Sequence, residues 1–256
     1  MAVRKPPVKV LKPTVGLWRD SYHRYYYNGA GPFPSVTTIL GIIDRPQLIE
    51  WAKRETARSA VKHLEMLSTM LLQGGEEATV AWLKQIPDYK ADVAGDFGTR
   101  VHAVAEQLAR GQEVALLPEL EPYVEAYRGF LADHHVKVYA TERLVFNTRY
   151  GYGGTYDLAA EVDGTPDVLL DIKSGRTAGY PEEELQLAGY RFAEVEADEG
   201  GPLYPIRKFK ATAILHLRPD AYPEGYRLIA FSADRDDFKT FIAALHLYRW
   251  KKENDV

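Results

Sequence analysis

The stretch from Thr155 to Lys173 constrains the fold more than any other part of the chain. It holds two apolar runs, Leu158 to Val162 and Val168 to Leu170, with Asp163-Gly164 between them. An Asp-Gly step between such runs is a strong hairpin signal. If Asp157 lies opposite Asp171, the connection is about three residues, Asp163 to Thr165, a common hairpin length. Directly opposed residues share a face, with Cβ atoms roughly 5 Å apart. Asp171 and Lys173, at i and i+2, also share a face of their strand. Two carboxylates that close repel one another unless a cation lies between them. Hard oxygen ligands suit Mg²⁺ or Mn²⁺, and a lysine beside such an ion can orient or help activate water for attack on a phosphodiester. Asp-x-Lys alone is an ordinary surface ion pair. The run Val168 to Leu170 makes this strand a buried central one, at whose end charges need partners.

The rest of the chain supplies layers for that hairpin. Trp18 to Asn28 alternates aromatic and polar residues and ends in Asn28-Gly29, which reads as a hairpin. Helical patterns begin at Ser35, and run over Pro46–Ser68, Glu76–Lys84, 97–110 and Glu119–His134. In 97–110 the apolar residues Val101, Val104, Ala105 and Leu108 fall at helical spacing, and His102 lies beside that stripe. Strands are expected at 138–147, 152–162, 167–173, 211–217 and 226–231, a helix at 182–197 with Leu185, Ala188, Phe192 and Val195 inward, and a last helix over 235–251. This order predicts an α/β fold: a three-layer αβα core with a small mixed sheet over 93–256, carrying an N-terminal helical elaboration over 1–92.

These residues resemble the RecB-like branch of the PD-(D/E)XK nucleases, a restriction-endonuclease-like fold. The resemblance implies that Asp157 and Asp171 bind the metal and that Lys173 is the catalytic lysine. Gly98-Thr99-Arg100-Val101-His102 resembles the branch's Gly-Thr-x-x-His helix, which makes His102 a further ligand, with the Ile172 carbonyl completing the shell. Gln186 and Tyr190 match its Gln-x-x-x-Tyr helix, as positioning or DNA-contacting residues. Glu142 is either a site residue or an exposed strand charge, and Ser174 either orients the site or starts a turn. The opening Pro34 to Leu40 resembles phage-encoded members. A literal Pro-Asp search selects Pro166-Asp167, but Asp167 lies four residues from Asp171 on one strand, about 13 Å of rise, too far to share a metal.

The implied activity is metal-dependent hydrolysis of DNA, as an exonuclease preferring single-stranded ends in recombination, repair or replication. The alternatives are an endonuclease on the same fold and a non-catalytic DNA-binding subunit. The chain has no cysteine, so it holds no Fe–S cluster and no disulfide. Its net charge of −4 is compatible with DNA as substrate when basic segments are local; the candidates are Lys5–Lys12, Arg207–Lys210 and Arg249–Lys252. No phosphate-binding Gly-x-x-x-x-Gly-Lys-Ser/Thr loop is present, so duplex opening falls to a separate helicase or single-strand-binding protein. No run reaches membrane-span length and the N-terminus lacks a signal-peptide core; the expected location is the cytoplasm, the host's if the protein is phage-encoded.

Overall fold

The structure is a computed structural model that describes residues 15–115 and 117–254. The basic stretch Lys5–Lys12 lies outside the described residues. A seven-stranded mixed sheet organises the chain. Its strands are β4 (Lys137–Asn147), β5 (Tyr152–Val162), β6 (Thr165–Lys173), β7 (Val195–Ala197), β8 (Tyr204–Pro205), β9 (Ala211–Leu217) and β10 (Tyr226–Phe231), in the spatial order β10-β9-β6-β5-β4-β7-β8. Among these described strands only β6 and β9 pair in parallel; the crossover between them is long enough to carry a helix, α5 (Pro181–Arg191).

Both faces are covered, which is why the central strands read as nearly continuous apolar runs. On one face Leu169, Tyr152, Tyr156 and Ile214 pack with α1 (Val36–Leu40), α5 and α6 (Arg235–Asn254). On the other, Leu158, Leu170 and Ile172 pack with Val101 and Ala105 of α3 (Leu64–Ala109) and with Tyr127 and Phe130 of α4 (Glu121–Asp133). Each fully buried Leu stabilises the fold by roughly 1.5–3 kcal/mol relative to exposure. This is the three-layer α/β architecture expected from the sequence. The first hairpin gains a strand, giving a separate sheet of β1 (Leu17–Arg19), β2 (Tyr25–Tyr27) and β3 (Ala30–Phe33). It packs Leu17 and Tyr25 on Leu144 and Phe146 of β4. Tyr25 and Tyr26 are buried, whereas Tyr22 is exposed.

Three expectations change. The hairpin connection is the two-residue turn Asp163-Gly164, with φ of 49° and 76° and Val162 paired to Thr165, the mirror-image turn that matches strand twist. The extra residue sits in β6 as a bulge at Pro166-Asp167, where Asp167 adopts φ 54° and ion-pairs with Arg207 at 3.1 Å. The expected helix 182–197 stops at Arg191; Asn147 Nδ2 donates to the Phe192 carbonyl, and Val195 becomes a β7 residue opposite Phe146. The patterns at 76–84 and 97–110 join into one helix, α3, interrupted at Gly75 (φ 78°); it packs on α2 (Pro46–Lys62), with Lys90 ion-paired to Glu55 at 2.6 Å. α3 runs through residues 92 and 93, so it links the N-terminal elaboration to the core.

Gly154 fixes how deeply α5 sits on the sheet. A Cβ there would lie 2.6 Å from Tyr190 Cε1 and 3.2 Å from Val36 Cγ2. Gly154→Ala is therefore expected to destabilise the protein by about 1–3 kcal/mol, the usual cost of overpacking. Urea unfolding of both proteins measures it; equal midpoints would show that the helix yields freely.

Candidate active site

Three neighbouring strands each bring one carboxylate to the same level of the sheet. On β4 and β5, Thr141 pairs with Leu158 and Arg143 with Tyr156, which sets Glu142 opposite Asp157. On β5 and β6, Leu158 pairs with Leu170, and Asp157 and Asp171 are the next residues beyond that last pair. The ladder ends there: Asp157 Oδ2 accepts the Ile172 backbone N–H at 2.6 Å, taking the place of a strand-to-strand bond. Glu142 holds a left-handed backbone, φ 48°. That conformation is uncommon for a non-glycine residue, and outliers of this kind cluster at functional sites.

Helix α3 supplies the next group. The His102 Nδ1 lies 3.4 Å from Asp157 Oδ2, placed there because Val101 and Ala105 on either side are buried in the core. Ligand atoms of His102, Glu142 and Asp157 all lie within 4.8 Å of one another. Glu106, one turn on, pairs with Arg110 at 2.6 Å.

Asp171 is held by different partners. Lys173 Nζ stands 2.6 Å from its Oδ2, and Gln186 Nε2 donates to its Oδ1 at 2.7 Å. Gln186 also donates to the Tyr190 hydroxyl at 3.0 Å, and its Oε1 accepts from Lys173 at 3.3 Å. Gln186 and Tyr190 are thus buried and hydrogen-bonded to one another, one helical turn apart on the inner face of α5. The start of α5 is fixed by Pro181 and by Glu183, whose carboxylate accepts the Gly179 and Tyr180 N–H groups. Ser174 lies against α3: its Oγ is 3.6 Å from where a Cβ on Gly98 would be. That is an ordinary van der Waals distance, so this contact does not by itself demand glycine at position 98. No described contact connects Ile172's carbonyl to the other candidate groups; its N–H is the part that binds Asp157.

Sequence reasoning missed Arg19. Its guanidinium reaches Thr155 Oγ1 at 3.4 Å, and Tyr25 OH lies 2.7 Å from the same oxygen. Thr155 is two residues before Asp157, so β1 and β2 border the carboxylates. No local signal links positions 136 residues apart.

The charges report strain. Burial raises Glu142 to about 7, and the Asp157 charge adds to it. Burial also raises Asp171, to about 6, against the pull of Lys173 and with a push from Asp157. Burial opposes charge on His102, but Asp157 outweighs it and lifts the imidazole to about 9. Asp157 itself stays below the usual carboxylate range, because His102 and Lys173 overcome its burial. Burial likewise opposes charge on Lys173, but Asp171 and Asp157 raise it, so it is an ammonium at neutral pH. Such a set of opposed shifts at one place is typical of functional sites.

A test of this electrostatic picture is Glu142→Gln in metal-free protein. A carboxyl raised from about 4.5 unfolded to about 7 folded costs nothing below pH 4.5. The cost grows between pH 4.5 and 7 and is complete above 7. The substitution is expected to stabilise the protein at pH 8, by up to about 3 kcal/mol, and hardly at all at pH 4.5. Thermal melts at the two pH values check it; a gain that is the same at both would remove charge strain as the cause.

The donor set fits a divalent cation. Two carboxylates and an imidazole suit Mn²⁺ better than Mg²⁺, which takes oxygen almost exclusively. A cation there would neutralise the repulsion that raises Glu142. Among the described residues, no helix is long and apolar enough to cross a membrane.

No known family model matches this chain, and no curated protein does. Among solved structures, the chain is similar to an alkaline exonuclease from Laribacter hongkongensis, at 14% identity and a TM-score of 0.37, over 61% of this chain and 80% of that one.

Proposed function

We propose that this protein is a divalent-metal-dependent deoxyribonuclease acting as an exonuclease on single-stranded ends. The observation that carries this reading is the row Glu142–Asp157–Asp171 across three adjacent strands, with His102 beside Asp157 and the Lys173 ammonium on Asp171. His102, Glu142 and Asp157 would hold the metal, with Asp171 beside them. When bound, the cation supplies Lewis-acid polarisation of the scissile phosphate and lowers the pKa of water.

The chain's own groups do the rest. Lys173, being charged, cannot take a proton; it donates hydrogen bonds, orienting the attacking water and stabilising charge on the phosphate oxygens. Asp171, at about 6, is ionised at neutral pH and poised to accept the water's proton. The water oxygen bonds to phosphorus, the P–O ester bond breaks, and solvent protonates the leaving alkoxide. Gln186, fixed by Tyr190, holds Asp171 and Lys173 in mutual orientation. The residues over 1–92 act as an elaboration on a 93–256 catalytic core, and a separate helicase or single-strand-binding protein would present the strand. The location proposed with this reading is the cytoplasm.

End dependence is supported by where α2 begins. Arg45, Gln47 and Leu48 share one cavity with Lys173, so the helical elaboration stands at the mouth of the site and narrows entry. The experiment compares linear and circular single-stranded DNA of one sequence, with Mn²⁺ and with EDTA. Only the linear strand is expected to be degraded, and only with metal. Degradation of the intact circle would make the enzyme an endonuclease; no cleavage of either would remove the nuclease reading.

A further inference from the structure

A cavity of about 320 Å³ lies where the end of α1, the start of α2 and the start of α5 meet, and it opens onto Lys173 and Gln186. That volume suits one small organic ligand. Its walls are of two kinds. Leu40, Leu48 and the Tyr180 ring give an apolar lining, with Leu48 half exposed at 51%. Arg45 is the cation on the rim; its Nε lies 3.9 Å from Glu182, too far for a hydrogen bond, so its donors remain available. Glu183 is occupied by the backbone at the start of α5, but Glu182 and Glu183 still make the interior unwelcoming to an anion.

These walls divide the work. A phosphate would stay at the mouth, beside the Lys173 ammonium. A flat, uncharged heteroaromatic ring would enter, stacked on Tyr180 and against the two leucines. We infer that this cavity is a subsite for a single deoxynucleoside monophosphate unit, the terminal nucleotide of the strand, with its base inside and its phosphate toward Lys173. The inference rests on the nuclease reading for the origin of that nucleotide, and it implies mononucleotide products.

The test measures binding rather than turnover, on the full chain treated with EDTA. The probes are 2′-deoxyadenosine 5′-monophosphate, its 3′-monophosphate isomer, deoxyadenosine and inorganic phosphate, each titrated by calorimetry. At least one of the two nucleotides is expected to bind, and inorganic phosphate to bind at least about tenfold more weakly. Leu48→Glu should weaken the nucleotide at least about tenfold, the equivalent of one lost stacking contact. Arg45→Ala, at an exposed position, provides a second variant should Leu48→Glu melt early. No nucleotide binding, or wild-type affinity in both variants, overturns the subsite. Inorganic phosphate binding as tightly as the nucleotides also overturns it, by showing an anion site at Lys173 alone. Nucleotide binding in a protein that cleaves no DNA would retain the subsite and sink only the nuclease reading.

Discussion

Asp157→Asn is expected to lower DNA cleavage at least about a thousandfold while the protein still folds. Asp157 stands at the centre of the site: His102 is 3.4 Å away, Ile172 donates to it at 2.6 Å, and Glu142 and Asp171 are its cross-strand neighbours. Removing its charge removes the group every other one is arranged around. A loss of about 4 kcal/mol in transition-state stabilisation corresponds to that factor, and charge stabilisation through a bound cation is worth several kcal/mol. His102 should lose its raised pKa as well, because the Asp157 charge is what lifts it above its burial. An NMR titration of the His102 ring reports this separately from activity. The asparagine side chain can still accept from Ile172, which protects the fold. Wild-type turnover in the purified variant would falsify the assignment.

Lys173→Ala is expected to cut turnover by about two to four orders of magnitude, the range for a positioned proton-handling or charge-stabilising group. Metal affinity should move the other way. The ammonium lies 2.6 Å from Asp171; taking a positive charge away from a cation site strengthens binding there and frees that carboxylate. Calorimetric Mn²⁺ titration should therefore show equal or tighter binding in the variant. A variant that binds Mn²⁺ more weakly than wild type would mean that Lys173 maintains the site's shape rather than its chemistry.

The parts of the fold that sequence made legible are those whose signals are local. Asp163-Gly164 between apolar runs located the hairpin, and placing Asp157 opposite Asp171 implied a connection of about three residues. The turn itself was shorter than counted, because the bulge at Pro166-Asp167 has no signature distinct from a loop of Pro, Asp and Thr. The helix α5 was extended too far since Phe192 and Val195 continue its apolar spacing; what ends it is Asn147, a residue from another strand. The site shows the same limit. Asp157, Asp171, Lys173 and His102 could be named from spacing and resemblance. Glu142 stayed undecided because its inward direction depends on a left-handed backbone that no neighbour in sequence dictates. Arg19 went unseen because only tertiary packing brings β1 to Thr155.

The bulge at Pro166-Asp167 also insulates one end of the hairpin from the other. Asp167 is pinned by Arg207 and its carbonyl accepts from Lys210 N, while β6 beyond it is locked to β9 from Val168 to Lys173. The alignment of the three carboxylates is thus fixed by the sheet interior, downstream of the pin, and not by the length of the exposed turn. The tip at Asp163-Gly164 is a natural place to graft a fluorophore tag or a surface-tethering peptide. Asp163 is tied to His134, its N–H donating to the His134 carbonyl and its carboxylate lying 2.6 Å from the ring Nδ1, so an insertion after Gly164 costs at most that contact and leaves the carboxylate register where the pinned bulge sets it.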